Sequence, residues 1–559
     1  MGILDKEEWA LKMVDAASKI PSGILNGNII DLGMYDECLA IKEKNITEIR
    51  GRHCIYNMKI DFNVTKIVLS LSTCIPATCN ATDVKHILNL IIFNMTDIGK
   101  NGISILSSSC SNIDSPEWTT GSIITFALRI LNTKINPGSF PVLNGIRVLS
   151  IFWIVMGHTY QQRGSSMLQV NNIELFEWFD SCKSLYVTLA VLAVDSFFTL
   201  SGFLMGYLFL KEMSKSRKFN LFDYYLHRYI RLTPAVLVLL LIAKFIVPHL
   251  GSGPIWDESL KSQNDCENIW WAILTYIQNY IKPGVMNQCL GHTWYLAVDM
   301  QLFLISPIIL YPLAKKRNLG LAILGLSFIV SLVIPAAIIA IKKFPATLLG
   351  ANDNQLGDVF TEYYIVPYAR SGPWIVGIFF GFITATKCVH INRVRMILGW
   401  CIAMICLIFC ICGYESFNEK DYEYDVAWEA IYGSISRPLW AFSLSWIIFA
   451  SNNGYGGLVG KILSLPIFLP LSRISYCLYL VHMLIQIVIT SSAKTAYYFS
   501  DFLSFSTFLS DLALSIVVAF FFSLFFESPI LILEKMLFRR EKRVKTEHPQ
   551  ESGDQKSKA

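Results

Sequence analysis

The sequence predicts an all-α polytopic membrane bundle of about ten transmembrane helices, preceded by a small disulfide-containing, mainly helical extracellular or lumenal head. Three observations predict it. Mean hydropathy is +0.46 over 559 residues, with 53% hydrophobic and only 16% charged, whereas soluble domains carry roughly a quarter charged residues. About ten apolar runs follow residue 142, each near the roughly 20 residues that cross a hydrocarbon core. Four N-x-[ST] sequons and five of the 14 cysteines crowd into the first 110 residues. The partner implied is a lipid bilayer. Net charge is only +5, with no Lys/Arg block interleaved with aromatics, so a nucleic-acid partner is excluded.

Residues 1–120 read as the head, 121–141 as a linker, 142–535 as the membrane domain, and 536–559 as a basic, polar cytoplasmic tail. In the head, sequons begin at Asn45, Asn63, Asn80 and Asn94, beside Cys38, Cys54, Cys74, Cys79 and Cys110. Glycan acceptors beside clustered cysteines are the pattern of an oxidising compartment. The four asparagines are therefore candidate glycosylation sites and the five cysteines candidate disulfide partners, with the connectivity open. The start, Met1-Gly-Ile-Leu-Asp-Lys-Glu-Glu-Trp9, has no apolar core of a signal peptide, and Lys6 departs from the myristoylation pattern after Gly2. Between the head and the first clear span the only apolar run is 121–131; eleven helical residues reach about 16 Å, roughly half the hydrocarbon thickness. A head with outer-face chemistry and no means of export predicts that the chain is a truncated or spliced product.

The runs lie near 142–160, 184–210, 232–250, 292–314, 319–341, 367–386, 396–412, 431–450, 474–492 and 508–532. The segments between them sort by charge. One alternating set holds twenty Lys and Arg, ending in Lys535-Met-Leu-Phe-Arg-Arg-Glu-Lys-Arg-Val-Lys545; the other holds nine, Arg370 among them. Basic loops stay in the cytoplasm, so the first set is expected inside, with residue 140 on the same side. Cys266 and Cys289 then fall outside, bracketing Asn268-Ile-Trp-Trp-Ala-Ile-Leu-Thr-Tyr-Ile-Gln-Asn279. Oxidised, they would fix a membrane-hugging segment over the mouth of the bundle. Cys401, Cys406, Cys410 and Cys412 share one apolar span without basic neighbours and read as packing residues. No metal site is expected.

Several stretches carry a resemblance. Ser18-Lys-Ile-Pro-Ser-Gly-Ile-Leu-Asn-Gly-Asn28, then Leu32-Gly-Met-Tyr-Asp-Glu-Cys-Leu39, resembles the cysteine-rich head of the nose-resistant-to-fluoxetine family of animal membrane proteins. Leu143-Asn-Gly-Ile-Arg-Val-Leu-Ser150 and Gly157-His-Thr-Tyr160 resemble the start of the acyltransferase 3 domain that follows that head. Val194-Asp-Ser-Phe-Phe-Thr-Leu-Ser-Gly-Phe-Leu204, His227-Arg-Tyr-Ile-Arg-Leu-Thr-Pro234, His292-Thr-Trp-Tyr-Leu-Ala-Val-Asp-Met-Gln301 and Ser475-Tyr-Cys-Leu-Tyr-Leu-Val-His482 continue the match in order. The resemblance implies a ten-helix membrane acyltransferase domain with both ends cytoplasmic. It also implies a signal peptide and a span connecting head to bundle, and this chain departs from the family at both.

Arg147 and His158 are eleven residues apart, so on one helix they lie about 16 Å apart and within roughly 20° of one face. Acyl transfer needs a base near neutrality, which imidazole supplies, and a cation where a phosphorylated donor docks. His158 and Arg147 are candidates for these roles, and the resemblance, through its Arg-x10-His motif, implies the same pair. Arg228 and Arg231, three apart, share a helix face and could hold donor phosphate through their guanidinium forks; basic residues at a cytoplasmic helix end also serve topology alone. Asp195, Asp299, Arg437, His482 and Glu527 lie inside different spans, as groups converging on a polar cavity would. Asp195 and Asp299 are catalytic candidates, to orient a histidine or pair with Arg437; structural pairing in the bundle is the competing reading. His292, seven residues before Asp299 and so two turns along one helical face from it, and the stripe Ser475, Tyr479 and His482 are candidates for the acceptor path.

The expectation is a membrane-bound O-acyltransferase-like protein with no bound cofactor, using acyl-CoA as co-substrate and a lipid, carbohydrate or other hydroxyl acceptor at the outer or lumenal face. The same residues leave open a carrier for lipids or hydrophobic xenobiotics, and a non-catalytic membrane receptor-like protein.

Overall fold

The structure is a computed structural model describing residues 7–18, 30–31, 34–43, 49–62, 65–95, 103–110, 121–135, 138–166, 168–215, 219–264, 266–281, 289–348, 350–351, 353–386, 392–418 and 422–530. It divides into two compact units, Met1–Ser122 and Ile123–Ala559.

The first unit holds α1 (Glu8–Ala16), α2 (Tyr35–Ala40), α3 (Ala81–Met95) and five strands: β1 (Ile30–Asp31), β2 (Lys42–Glu43), β3 (Ile49–Phe62), β4 (Thr65–Pro76) and β5 (Ile103–Cys110). The mainly helical head expected from sequence is therefore mixed, with a long β-hairpin at its centre. The cause is period-two patterning, as in His53-Cys-Ile-Tyr-Asn-Met-Lys-Ile-Asp-Phe62. β3 pairs antiparallel with β4 on one side and β5 on the other, and β1 adds parallel to β4. Cys54 and Cys110 face each other in the β3–β5 register and are bonded. Cys38 joins Cys74, linking α2 to β4 among Met13, Ala16 and Ile41. Cys79 is free, correcting its assignment as a disulfide partner; five cysteines leave one over, and it lies in the turn after β4. Asn80 is exposed, and its side-chain oxygen caps α3 by accepting from the backbone N–H of Thr82 and Asp83 at 2.9 and 3.1 Å. Asn45, Asn63, the side chain of Asn94 and the tail 536–559 lie outside the described residues.

The second unit contains α4 (Gly121–Leu131, but for its first two residues), α5 (Pro141–Gly164), the short α6 (Asn172–Phe179) and α7 (Leu185–Thr188), then α8 (Val191–Lys215) and α9 (Leu221–Phe245). Short helices α10 (Trp256–Asn264), α11 (Cys266–Thr275) and α12 (Gln278–Ile281) lead to α13 (Trp294–Lys315) and α14 (Arg317–Lys342). Then come α15 (Asp353–Val359), α16 (Pro367–Thr386), α17 (Arg393–Glu415), α18 (Val426–Asn452), α19 (Gly457–Leu463), α20 (Phe468–Ser491) and α21 (Asp501–Phe522). The helices that follow the ten apolar runs are α5, α8, α9, α13, α14, α16, α17, α18, α20 and α21. Eight of them are long and apolar enough to cross a membrane; α16 and α18 fall short of that apolarity and carry Arg370 and Arg437 inside the bundle. Outward faces are apolar, as at Leu326, Ile329 and Val333 on α14 and Ile397, Ile405 and Ile408 on α17, which suits lipid rather than water. The protein is an integral membrane protein.

Helices α8 and α16 run parallel in closest contact through two Gly-x3-Gly patterns, Gly202/Gly206 and Gly377/Gly381. A Cβ on Gly202 would sit 2.0 Å from the Trp374 carbonyl oxygen, and one on Gly377 2.3 Å from that of Thr199. Small residues let backbones approach this closely in a bundle. The separation of Gly202 from Gly377 equals the 175 residues between Asp195 and Arg370, so the glycine register carries that ion pair two turns further along. Helix α4, too short to span, is held at its C-terminal end by Arg473, whose Nη1 donates to the carbonyls of Arg129, Ile130 and Asn132 at 2.6–2.9 Å.

Candidate functional site

α5 packs against α20 and presents both of its marked residues to it. Arg147 Nη1 reaches Ser472 Oγ at 3.3 Å, and His158 Nδ1 lies 2.9 Å from His482 Nε2. Neither points into lipid. The next residue of α5 centres a buried polar group: Thr159 Oγ1 donates to Asp511 Oδ2 at 2.8 Å, and Gln486 Nε2 donates to Thr159 Oγ1 at 2.8 Å. Asp511, inside the last run, was missed from sequence, although a carboxylate within an apolar span is itself a signal.

His292 occupies the 3₁₀ turn Gly291–Thr293 that leads into α13 rather than the helix itself, which corrects the placement of His292 and Asp299 on one helical face. The disulfide Cys266–Cys289 ends three residues before it, so the bridge expected over the mouth also anchors this turn. Leu290 between them is left-handed, at φ 53°, a strained conformation for a branched residue. Tyr479 donates its hydroxyl to the His292 carbonyl, and His292 Nε2 lies 3.1 Å from the Leu480 carbonyl. The rings of His292 and His482 meet edge to face at 5.5 Å. Three histidines from three elements thus converge: His158, His292 and His482. Ser475 bonds back to the Ser472 carbonyl of its own helix at 2.8 Å. Among the described residues, no group of three or more His, Cys, Asp or Glu is placed to hold a metal ion.

Nearer the other end of α5, Arg228 pairs with Asp299, whose second oxygen accepts from Ser201 Oγ at 2.6 Å. The Arg228 guanidinium lies over the Phe303 ring, 4.4 Å from its centre. Arg231 is exposed on α9, three residues on from Arg228. The Tyr295 ring on α13 packs 4.8 Å from the Phe198 ring and 5.7 Å from the Tyr479 ring.

Asp195 pairs with neither a histidine nor Arg437. Its two oxygens accept from Nη1 of Arg370 at 2.9 and 2.8 Å, and Arg370 Nε donates to the Tyr364 carbonyl at 2.8 Å. Arg370, a loop charge by its place in the sequence, is instead 0% exposed and stacks 4.2 Å from the Tyr364 ring centre. Asp299 likewise pairs with Arg228 instead of Arg437. Arg437 donates to the Ala369 carbonyl at 3.3 Å, stacks on Tyr363, and lines a cavity with Tyr414, Tyr432 and Ser436 away from His158. Glu527 accepts from Ser523 Oγ at 2.6 Å and Cys477 Sγ at 3.0 Å, so it ties α20 to the chain's last described turn.

Histidines thus gather near one end of α5, with Arg147 towards the other. A family profile described as an acyltransferase domain matches residues 140–527, and one described as the nose resistant-to-fluoxetine protein N-terminal domain matches 1–88. The chain belongs to the acyltransferase 3 family, in its nose-resistant-to-fluoxetine branch. Nose resistant to fluoxetine protein 6 of Caenorhabditis elegans is 27% identical over 97% of this chain and 80% of its own length. Regulator of hypoxia-inducible factor 1 of the same animal is 24% identical over 44% of this chain and 51% of its own. A putative O-acetyltransferase of Staphylococcus aureus (strain COL) is 27% identical over 34% of this chain and 28% of its own. No solved structure matches.

Proposed function

We propose that the protein transfers an acyl group from a cytoplasmic acyl-CoA-type donor to a hydroxyl acceptor at the outer or lumenal face. The observation that carries this reading is the placement of Arg147 and His158 on the α20-facing side of α5, at two depths. His158 would take the acceptor's proton as its oxygen attacks the thioester carbonyl, and return it to the departing thiolate. Arg147, Arg228 and Arg231 would hold donor phosphate, with Asp299 keeping Arg228 in place until an anion shares it. Asp195, paired with Arg370, would support the bundle rather than the chemistry. His292 and Tyr479 would border the acceptor path. The topology of this reading puts both ends of the bundle in the cytoplasm and the head outside or in the lumen, where Asn45, Asn63, Asn80 and Asn94 would be glycosylated.

The test is reconstituted protein supplied with radiolabelled acetyl-CoA and candidate hydroxyl acceptors. Covalent transfer by wild type, lost in a folded His158→Ala variant, is expected. Full transfer by that variant would refute the assignment of the base. Movement of intact lipid across the bilayer without any covalent product would mark a carrier instead.

A further inference from the structure

We infer that His482 is a positioning residue that fixes the proton of His158 on Nδ1 and leaves Nε2 of His158 as the bare, proton-accepting nitrogen. The inference rests on the acyl-transfer reading above. The constraint starts at the inner ring. His482 Nδ1 lies 2.7 Å from the Tyr479 carbonyl oxygen and 3.2 Å from that of Leu478. Carbonyl oxygens only accept, so Nδ1 carries a hydrogen. His482 is 0% exposed, and among the described residues no carboxylate contacts either ring. A second proton would place an unpaired cation in the bundle interior, which is costly. The ring is therefore neutral, and its Nε2 presents a lone pair.

That lone pair meets His158 Nδ1 at 2.9 Å. Two lone pairs cannot face each other at that distance, so His158 Nδ1 is the donor. The rings are 9° from parallel with centres 5.2 Å apart. That separation is the N···N distance plus one ring radius at each end, so the two imidazoles lie edge to edge in nearly one plane, the favoured direction for a nitrogen lone pair. His292 packs against the same His482 ring from a third element and is tied to the Leu480 carbonyl, which keeps His482 from turning. With its single proton committed to His482, neutral His158 has Nε2 free.

The tautomer decides the chemistry. During transfer a C–O bond forms between acceptor oxygen and acyl carbon while the C–S bond breaks. The hydroxyl proton moves to Nε2 of His158 and then to the thiolate sulfur. Throughout, Nδ1–H keeps donating to His482, a neutral acceptor that shares the transient positive charge. Without that acceptor, imidazole prefers its proton on Nε2, and the base would present a donor to the substrate where an acceptor is needed.

The test uses full-length protein in lipid nanodiscs with 15N-labelled histidine, in which the signals of Nδ1–H and Nε2–H tautomers are distinct; the His158→Gln variant identifies the His158 resonances. Wild-type His158 should be the Nδ1–H form. His482→Met should convert it to a mixture or to the Nε2–H form, and His482→Gln, which offers an amide oxygen near the vacated Nε2, should keep Nδ1–H. With acetyl-CoA as donor, kcat should fall about 100-fold or more in His482→Met, with KM for the donor unchanged, and recover in His482→Gln. An Nε2–H tautomer in wild type, or an unchanged spectrum in His482→Met, would overturn the inference. Absence of turnover in wild type would instead sink the acyl-transfer reading and leave the spectra to decide the histidine pair.

Discussion

Removing the carboxylate of Asp195 isolates a guanidinium that has no route to water. The side chains of Asp195 and Arg370 are 1% and 0% exposed. Among the described residues Arg370 has three bonds, two from Nη1 to Asp195 and one from Nε to the Tyr364 carbonyl, and its Nη2 has no partner. Asp195→Leu would leave a buried cation with one carbonyl and two aromatic faces, Tyr364 and Trp294. Breaking one side of a buried pair costs about 3–5 kcal/mol, whereas replacing both sides with apolar residues of similar volume is often neutral or stabilising. Asp195→Asn keeps an acceptor oxygen and loses the charge, so about 1.5–3 kcal/mol is expected. The Asp195→Leu/Arg370→Met double variant should recover most of the single-variant loss. Unfolding in mixed micelles titrated with SDS, followed by tryptophan fluorescence, measures all four proteins. A cost below about 1 kcal/mol for Asp195→Leu, or a double variant no more stable than the single, would refute a buried, uncompensated charge at Arg370.

The surroundings of two glycines predict opposite signs for their substitution. Gly377→Ala, whose Cβ would meet the Thr199 carbonyl oxygen at 2.3 Å, should destabilise by about 1–3 kcal/mol in the same titration. Gly325→Ala on α14, with nothing within 4 Å, should stabilise by about 0.5–1 kcal/mol. Treating native protein with a water-soluble maleimide should label Cys79 and Cys182 but none of Cys38, Cys54, Cys74, Cys110, Cys266 and Cys289, which are bonded; mass mapping reads the outcome. Arg473→Ala removes three hydrogen bonds to the end of α4 and should speed amide exchange over residues 127–132 without moving exchange in α8.

Individual residues differ in how much of this was legible beforehand. The ten runs were visible because bilayer thickness sets their length, and the α5 pair because helical geometry puts residues eleven apart on one face. The partners were not. Asp195 and Arg370 are 175 residues apart, and nothing local distinguishes a buried arginine near the start of an apolar run from a loop charge beside it. A finer signal existed: Gly377 and Gly381 stand at the spacing of Gly202 and Gly206, and aligning the two patterns pairs Asp195 with Arg370. The hairpin of the head was overlooked although Thr65-Lys-Ile-Val-Leu-Ser-Leu-Ser-Thr73 is rich in β-branched residues and alternates polar with apolar toward its end. His482 was recognised as polar and inward, but its contact with His158 depends on how α5 and α20 cross, which no single-helix periodicity contains.

That crossing makes α20 the element around which the site is organised. Ser472, Tyr479, His482 and Gln486 are spaced by seven, three and four residues, which keeps them on one side of a helix with 3.6 residues per turn. In that order they meet Arg147, the His292 turn, His158 and Thr159. A single helix therefore registers the guanidinium end of α5 against its imidazole end, and also draws in the turn anchored by the Cys266–Cys289 bridge. The consequence is mechanical as well as chemical. Rotation or sliding of α20 relative to α5 would break the Ser472, His482 and Gln486 contacts together, so Arg147 and His158 are positioned as one unit and not independently.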